Sequence, residues 1–160
     1  MMTFHDLYTS YARDVFRFAY WLTGNVCEAE DITSETFVRA WVRIATIRTE
    51  TLKGYLFAIA RNLYLGQLRR DRKLTALQEN FPGSAPDPET ITADRAVLEW
   101  INEFLASISE MDRTAFLLRV QHDLPYAEIA RILVISISSA KVKVHRVRKR
   151  ILQKRLDQDR

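Results

Sequence analysis

The chain has 160 residues, with 24 Lys and Arg against 20 Asp and Glu, a formal net charge of +4, 48% apolar residues and 28% charged ones. That composition is globular rather than disordered. A single cysteine excludes an internal disulfide staple and fits a reducing compartment, and four Gly and four Pro are too few for the turns of a many-stranded β fold. The opening MMTFHDLYTSYARD lacks the basic-then-apolar pattern of a leader. No stretch reaches the roughly 18 apolar residues of a membrane span, so a cytoplasmic protein is expected.

Residues 3–23 carry Phe4, Leu7, Tyr8, Tyr11, Val15, Phe18, Ala19 and Leu22 at three- and four-residue steps, which predicts an amphipathic helix. Thr3 is placed to cap its start, and Gly24 to end it in the left-handed conformation. A second helix is predicted over about 28–45, with Ala29, Ile32, Thr36, Phe37, Ala40, Trp41 and Ile44 inward. Glu28, Glu30 and Asp31 fall in its first turn, where the helix dipole favours acids. A third is predicted over about 52–72, with Leu52, Tyr55, Leu56, Ile59, Ala60 and Leu63 on one stripe and a polar end, Arg69-Arg70-Asp71-Arg72-Lys73. Residues 79–90, ENFPGSAPDPET, hold three of the prolines and no helical period. Each residue before a Pro is pushed out of the helical region. The chain therefore divides into a first domain over 1–73, a linker over 74–91 and a second domain over 92–160.

The second half restarts with Val97, Ile101, Phe104, Leu105 and Ile108 on a helix. Ser109, with Asp112 three residues on, resembles a capping box with Asp in place of Glu. The following helix, about 110–122, is expected to bury Met111, Ala115, Phe116 and Val120. Pro125 suits the first turn of a short helix over 125–133, with Tyr126, Ile129, Ala130 and Leu133 inward. Ser136 caps a last helix over about 137–155. The fold class expected is all-α, two small helical domains joined by a flexible linker.

Catalysis finds no support in the residues. His5, His122 and His145 lack metal-ligand spacing with one another or with Cys27. There is no Gly-rich phosphate loop and no nucleophile elbow. No enzyme activity, cofactor or metal is expected. Cys27, beside Glu28 and Glu30 near a helix start, reads as a small packed residue rather than a reactive thiol.

Charge is distributed unevenly. Residues 1–73 are net +3, 74–110 net −6 and 111–160 net +7. Two basic ends around an acidic middle point to a polyanion partner at each end. Between 141 and 156 lie Lys141, Lys143, Arg146, Arg148, Lys149, Arg150, Lys154 and Arg155, with no acid among them. A solvated helix face can be basic, but it usually carries acidic partners. This stretch also follows a short helix and a turn at 134–136, the layout of a helix-turn-helix whose second helix enters the major groove. Earlier, Arg61, Asn62, Tyr64, Gln67, Arg69, Arg70, Arg72 and Lys73 mix cations, amides and an aromatic, which suits melted nucleic acid. A helix end setting its cations on its own negative dipole has the same composition. Asp31, Ser34, Glu35, Val38 and Arg39 form the outer face of the second helix, which by itself reads as solvent-facing.

Across nearly its whole length the chain resembles a bacterial RNA polymerase sigma factor of the extracytoplasmic-function group. Ala29-Glu30-Asp31-Ile32 and Glu35-Thr36-Phe37-Val38-Arg39-Ala40-Trp41 resemble the family's polymerase-binding helix. Tyr55-Leu56, Ile59-Ala60-Arg61-Asn62 and Leu68-Arg69-Arg70 resemble its promoter-melting helix. Tyr126-Ala127-Glu128-Ile129-Ala130, Leu133, Ile135-Ser136, Lys141, His145-Arg146 and Arg148 resemble its helix-turn-helix. The resemblance implies that Asp31, Ser34, Glu35 and Val38 face core RNA polymerase. It implies that a loop at about Thr46 to Thr51, including Arg48 and Thr49, works with Arg61, Asn62, Gln67, Arg69 and Arg70 on the downstream promoter element. Ser138, Ser139, Lys141, Val142, His145 and Arg146 would face the upstream promoter element, with Lys143, Arg148, Lys149 and Arg150 on phosphates. The partners implied are core polymerase, promoter DNA and an anti-sigma factor.

The chain departs from the family's habit in several places: Ser34 stands where Gln is common, Tyr55 where Trp is more common, Gly66 where Asp or Asn is common, Val134 where the turn commonly has Gly, and Ser138-Ser139-Ala140 where Gly-Thr-Val is common. A stand-alone helix-turn-helix regulator is the rival reading. It has no use for Arg61-Asn62 and Arg69-Arg70 beside an aromatic. An adaptor that binds polymerase without reading promoters is the third.

Overall fold

The computed structural model describes residues 1–47, 51–75 and 95–159. Among these the chain is all α-helical, as expected, with no strand. Two compact units result, Met1–Glu99 and Trp100–Arg160. Helix α3 runs through Thr75, two residues into the expected linker; residues 76–91 of that segment lie outside the described residues.

The first unit contains α1 (Phe4–Thr23), α2 (Val26–Val42), a 3₁₀ turn (Ile44–Thr46) and α3 (Leu52–Thr75). Thr3 and Asp6 form a reciprocal capping box at the start of α1, and Gly24 ends it at φ 68°. Asn25 caps α2 by accepting from the Glu28 N–H at 2.9 Å, so that helix starts two residues earlier than its acids announce. Its end comes at Val42, and Ile44 lies in the 3₁₀ turn rather than on the helix. The core joins Leu7, Val15, Phe18 and Leu22 of α1 to Ile32 and Phe37 of α2 and Leu52, Leu56 and Phe57 of α3. The Phe18 and Phe57 rings meet edge to face at 5.0 Å. Burying such side chains contributes about 1.5–3 kcal/mol each. Trp41, expected inward, is exposed, as are Phe4 and Tyr8. These three lie at the rim, where Phe4 meets Trp41 at 5.8 Å and Tyr8 meets Phe37 at 5.1 Å. Cys27 is exposed, not packed.

The second unit is built from α4 (Arg95–Ser107), whose first turn precedes the division, α5 (Glu110–Val120), α6 (Tyr126–Leu133) and α7 (Ile137–Gln158). Phe104, Leu118, Ile129 and Val144 are among its fully buried side chains. The buried face of α5 differs from expectation. Ala115 and Leu118 point inward with Leu117, whereas Met111 and Phe116 are half-buried and Val120 is exposed. The inward stripe follows steps of three and four from Ala115, which puts Val120 on the opposite side. Pro125 sits at the N-cap of α6, one position before its first turn.

Candidate functional site

On α2 the inward positions Ala29, Ile32, Thr36, Phe37 and Ala40 are buried, which leaves Asp31, Ser34, Glu35 and Val38 together on the exposed face. Steps of three and four make them neighbours. Glu35 Oε1 accepts from Arg39 Nε at 2.9 Å. A groove of about 520 Å³ runs along this face and is closed on the other side by Leu63, Gln67 and Arg70 of α3. Gln67 Oε1 is buried with no hydrogen-bond partner among the described residues. Next to the groove, burial pushes the Glu28 carboxyl up from 4.5, with Asp71 and then Asp31 adding repulsion.

The structure therefore separates residues that the sequence grouped on the third helix. Gln67 and Arg70 line the groove with the α2 face. Asn62 and Arg69 are exposed, and their seven-residue spacing puts them on a shared face of α3. Arg61 is half-buried. Gly66 has open space where a side chain would project. Tyr64 does not belong with them: it is 6% exposed and packs in the core, so its ring is not presented for stacking on a base. Arg48 and Thr49 lie outside the described residues.

In the second unit, α6 and α7 form the helix-turn-helix. Val134 ends α6 at φ 56° and ψ 51°, in the left-handed region, and is 88% exposed. The Ile135 N–H donates to the Ala130 carbonyl at 3.0 Å, and Ser136 Oγ accepts from the Ser139 N–H at 3.0 Å. These bonds set the start of α7. Ser138, Lys141, Val142 and His145 then share an exposed face, and Ser139 is half-buried behind them. Arg148, Lys149 and Arg150 are exposed farther along.

Two basic residues point elsewhere. Arg146 Nη1 donates to Asp112 Oδ2 at 3.4 Å, and Lys143 Nζ lies 3.6 Å from Asp112 Oδ1. Asp112 is thus not the second half of a capping box: Ser109 Oγ accepts its N–H, but its carboxylate turns to α7. Sequence reasoning missed this acid because its partners lie more than thirty positions away. It also missed the stacking at Tyr126, whose ring has the Arg119 guanidinium at 4.4 Å and the Lys141 ammonium at 5.9 Å. No group of acids, His and Cys suited to a metal occurs among the described residues, and no described helix is long and apolar enough to cross a membrane.

The sigma-70 region 2 family matches residues 7–74 and the sigma-70 region 4 family matches residues 98–151, which are the stretches holding the α2–α3 groove and the helix-turn-helix. The chain belongs to the extracytoplasmic-function sigma factors, a family of RNA polymerase subunits that direct transcription initiation. This sigma factor is 31% identical to the sigma factor SigE of Mycolicibacterium smegmatis, over 94% of its own length and 61% of that relative's. It is 28% identical to SigM of Bacillus subtilis, over 94% of its own length and 93% of SigM. Among solved structures, the sigma factor RpoE of Bartonella quintana, in complex with the anti-sigma factor NepR, matches with a TM-score of 0.80, 28% identity and 96% of each chain covered.

Proposed function

We propose that this chain binds core RNA polymerase and directs it to a set of promoters through three surfaces. The exposed face of α2, with Asp31, Ser34, Glu35 and Val38, takes the polymerase. Arg61, Asn62 and Arg69 of α3, with Arg48 and Thr49 before it, hold the opened downstream element, while Gln67 and Arg70, expected with them, stand on the groove beside the α2 face. Captured, unstacked bases supply the energy for opening. Ser138, Ser139, Lys141, Val142, His145 and Arg146 read the upstream duplex, while Arg148, Lys149 and Arg150 meet phosphates; Lys143, expected with them, is turned to Asp112 instead. Residues 1–73 and 92–160 are the two working domains, joined by residues 74–91. The protein carries out no covalent chemistry of its own, acts in the cytoplasm and is held in reserve by an anti-sigma factor, as the RpoE homologue is bound by NepR.

The observation that carries this reading over a stand-alone regulator is the α2 face: a polar groove with two acids one turn apart, on a helix whose other face already completes the core. A regulator that only binds duplex DNA needs no such second face. Replacing Asp31 and Glu35 together with Lys reverses the charge of that face while leaving the core untouched. Co-purification with core polymerase should be abolished, with the circular dichroism spectrum unchanged. Retention of wild-type levels of polymerase by the double variant overturns the assignment.

A further inference from the structure

Helices α5 and α7 meet across one buried acid. Asp112 is 4% exposed, and its carboxylate lies between Nζ of Lys143 at 3.6 Å and the Arg146 guanidinium at 3.4 Å. Its N–H is accepted by Ser109 Oγ at 3.2 Å. Backbone and carboxylate are therefore both fixed, one by the helix cap and the other by two cations. A buried charge needs such partners, because removing it from water costs several kcal/mol. The two cations are held unequally: the Lys143 side chain is 19% exposed and that of Arg146 is 52% exposed. Lys143 is drawn in towards the acid. Arg146 is anchored by Nη1 and keeps much of its guanidinium in solvent. DNA phosphates would compete with Asp112 for the same positive charge.

We propose that Asp112 is a positioning residue for DNA readout. It sets the direction of Arg146 and withholds the charge of Lys143 from DNA phosphates. Sequence-independent affinity is thereby lowered, and discrimination rests on Ser138, Lys141, Val142, His145 and the directed Arg146. The inference depends on α7 binding duplex DNA, as proposed above.

The test uses the full chain and two labelled duplexes, an upstream promoter element and a scrambled sequence, titrated at several salt concentrations. Asp112→Asn keeps the shape and removes the charge. It should bind the scrambled duplex more tightly, by about eightfold at 0.1 M salt for one cation released, with a log-log salt slope steeper by about 0.9. Its preference for the element should fall. Asp123→Asn removes the same charge from an exposed residue whose φ of 54° suits Asn, and should stay close to wild type. A second variant does not depend on Asp112→Asn folding: Lys143→Gln should leave the slope nearly unchanged, whereas Arg148→Ala should make it shallower by about 0.9. The proposal is overturned if Lys143→Gln flattens the slope as much as Arg148→Ala. It is also overturned if a folded Asp112→Asn matches Asp123→Asn, or weakens binding to both duplexes with no change in slope. Those results leave the DNA reading standing. Failure of the wild-type chain to bind either duplex instead removes the DNA reading itself, and this inference with it.

Discussion

Val134 holds a backbone conformation that costs a β-branched residue about 1–2 kcal/mol. Its side chain is exposed, with little packing to offset that cost. Val134→Gly should raise the thermal midpoint of the second unit by the equivalent of about 0.5–1 kcal/mol, after Gly's own entropic cost. A lowered midpoint would mean that the side chain matters more than the strain. Glu28 offers a pH test. Burial, then Asp71 and Asp31, hold its carboxyl above 4.5 in the folded chain. The folded state thus binds the proton more tightly than the unfolded one. The associated stability is full below the unfolded value and lost as pH rises through the folded value. Glu28→Gln should therefore melt higher than wild type at pH 7, with the gain disappearing below about pH 4. An equal melting temperature at pH 7 would show that the helix dipole at this first-turn position already compensates the acid. Caps were legible at this scale because they are local: Thr3, Gly24 and Ser136 each act within four residues. The partners of Asp112 were not, because nothing local marks them.

At the scale of the element, α7 carries two kinds of cation. Lys141 shares the exposed face of Ser138, Val142 and His145 near the start of α7, while Arg148 lies farther along. Lys141→Ala should cost about 1–3 kcal/mol on the upstream element and relax the preference at one or two base pairs. Arg148→Ala should weaken binding to every duplex alike. Equal weakening of element and scrambled duplex by Lys141→Ala would contradict base readout at that residue. Periodicity located all of these helices, since apolar steps of three and four survive in each. It was less able to choose which apolar residues on a short helix face inward. On α5 the apolar residues surround much of the helix, so Phe116 and Val120 looked as eligible as Leu117 and Leu118 until the neighbouring helices were in place. Tyr64 is the same case on α3: its amide and basic neighbours suggested a nucleic-acid face, but its own position falls on the buried stripe.

For the whole molecule, the all-α class followed from scarce Gly and Pro together with helical apolar spacing throughout. The exposed acids of α2 and the basic face of α7 belong to separate compact units of one chain. The α2 face is what a protein that only binds DNA does not need, and the proposed function requires both surfaces to act together on polymerase. That action is measured most directly by in-vitro transcription, with core polymerase and genomic promoter fragments, in the presence and absence of the purified chain. The expected result is discrete start sites that appear only when both proteins are present and vanish with the Asp31→Lys, Glu35→Lys double variant. Sequence-specific binding of the chain to duplex DNA with no chain-dependent start site on any fragment would contradict it.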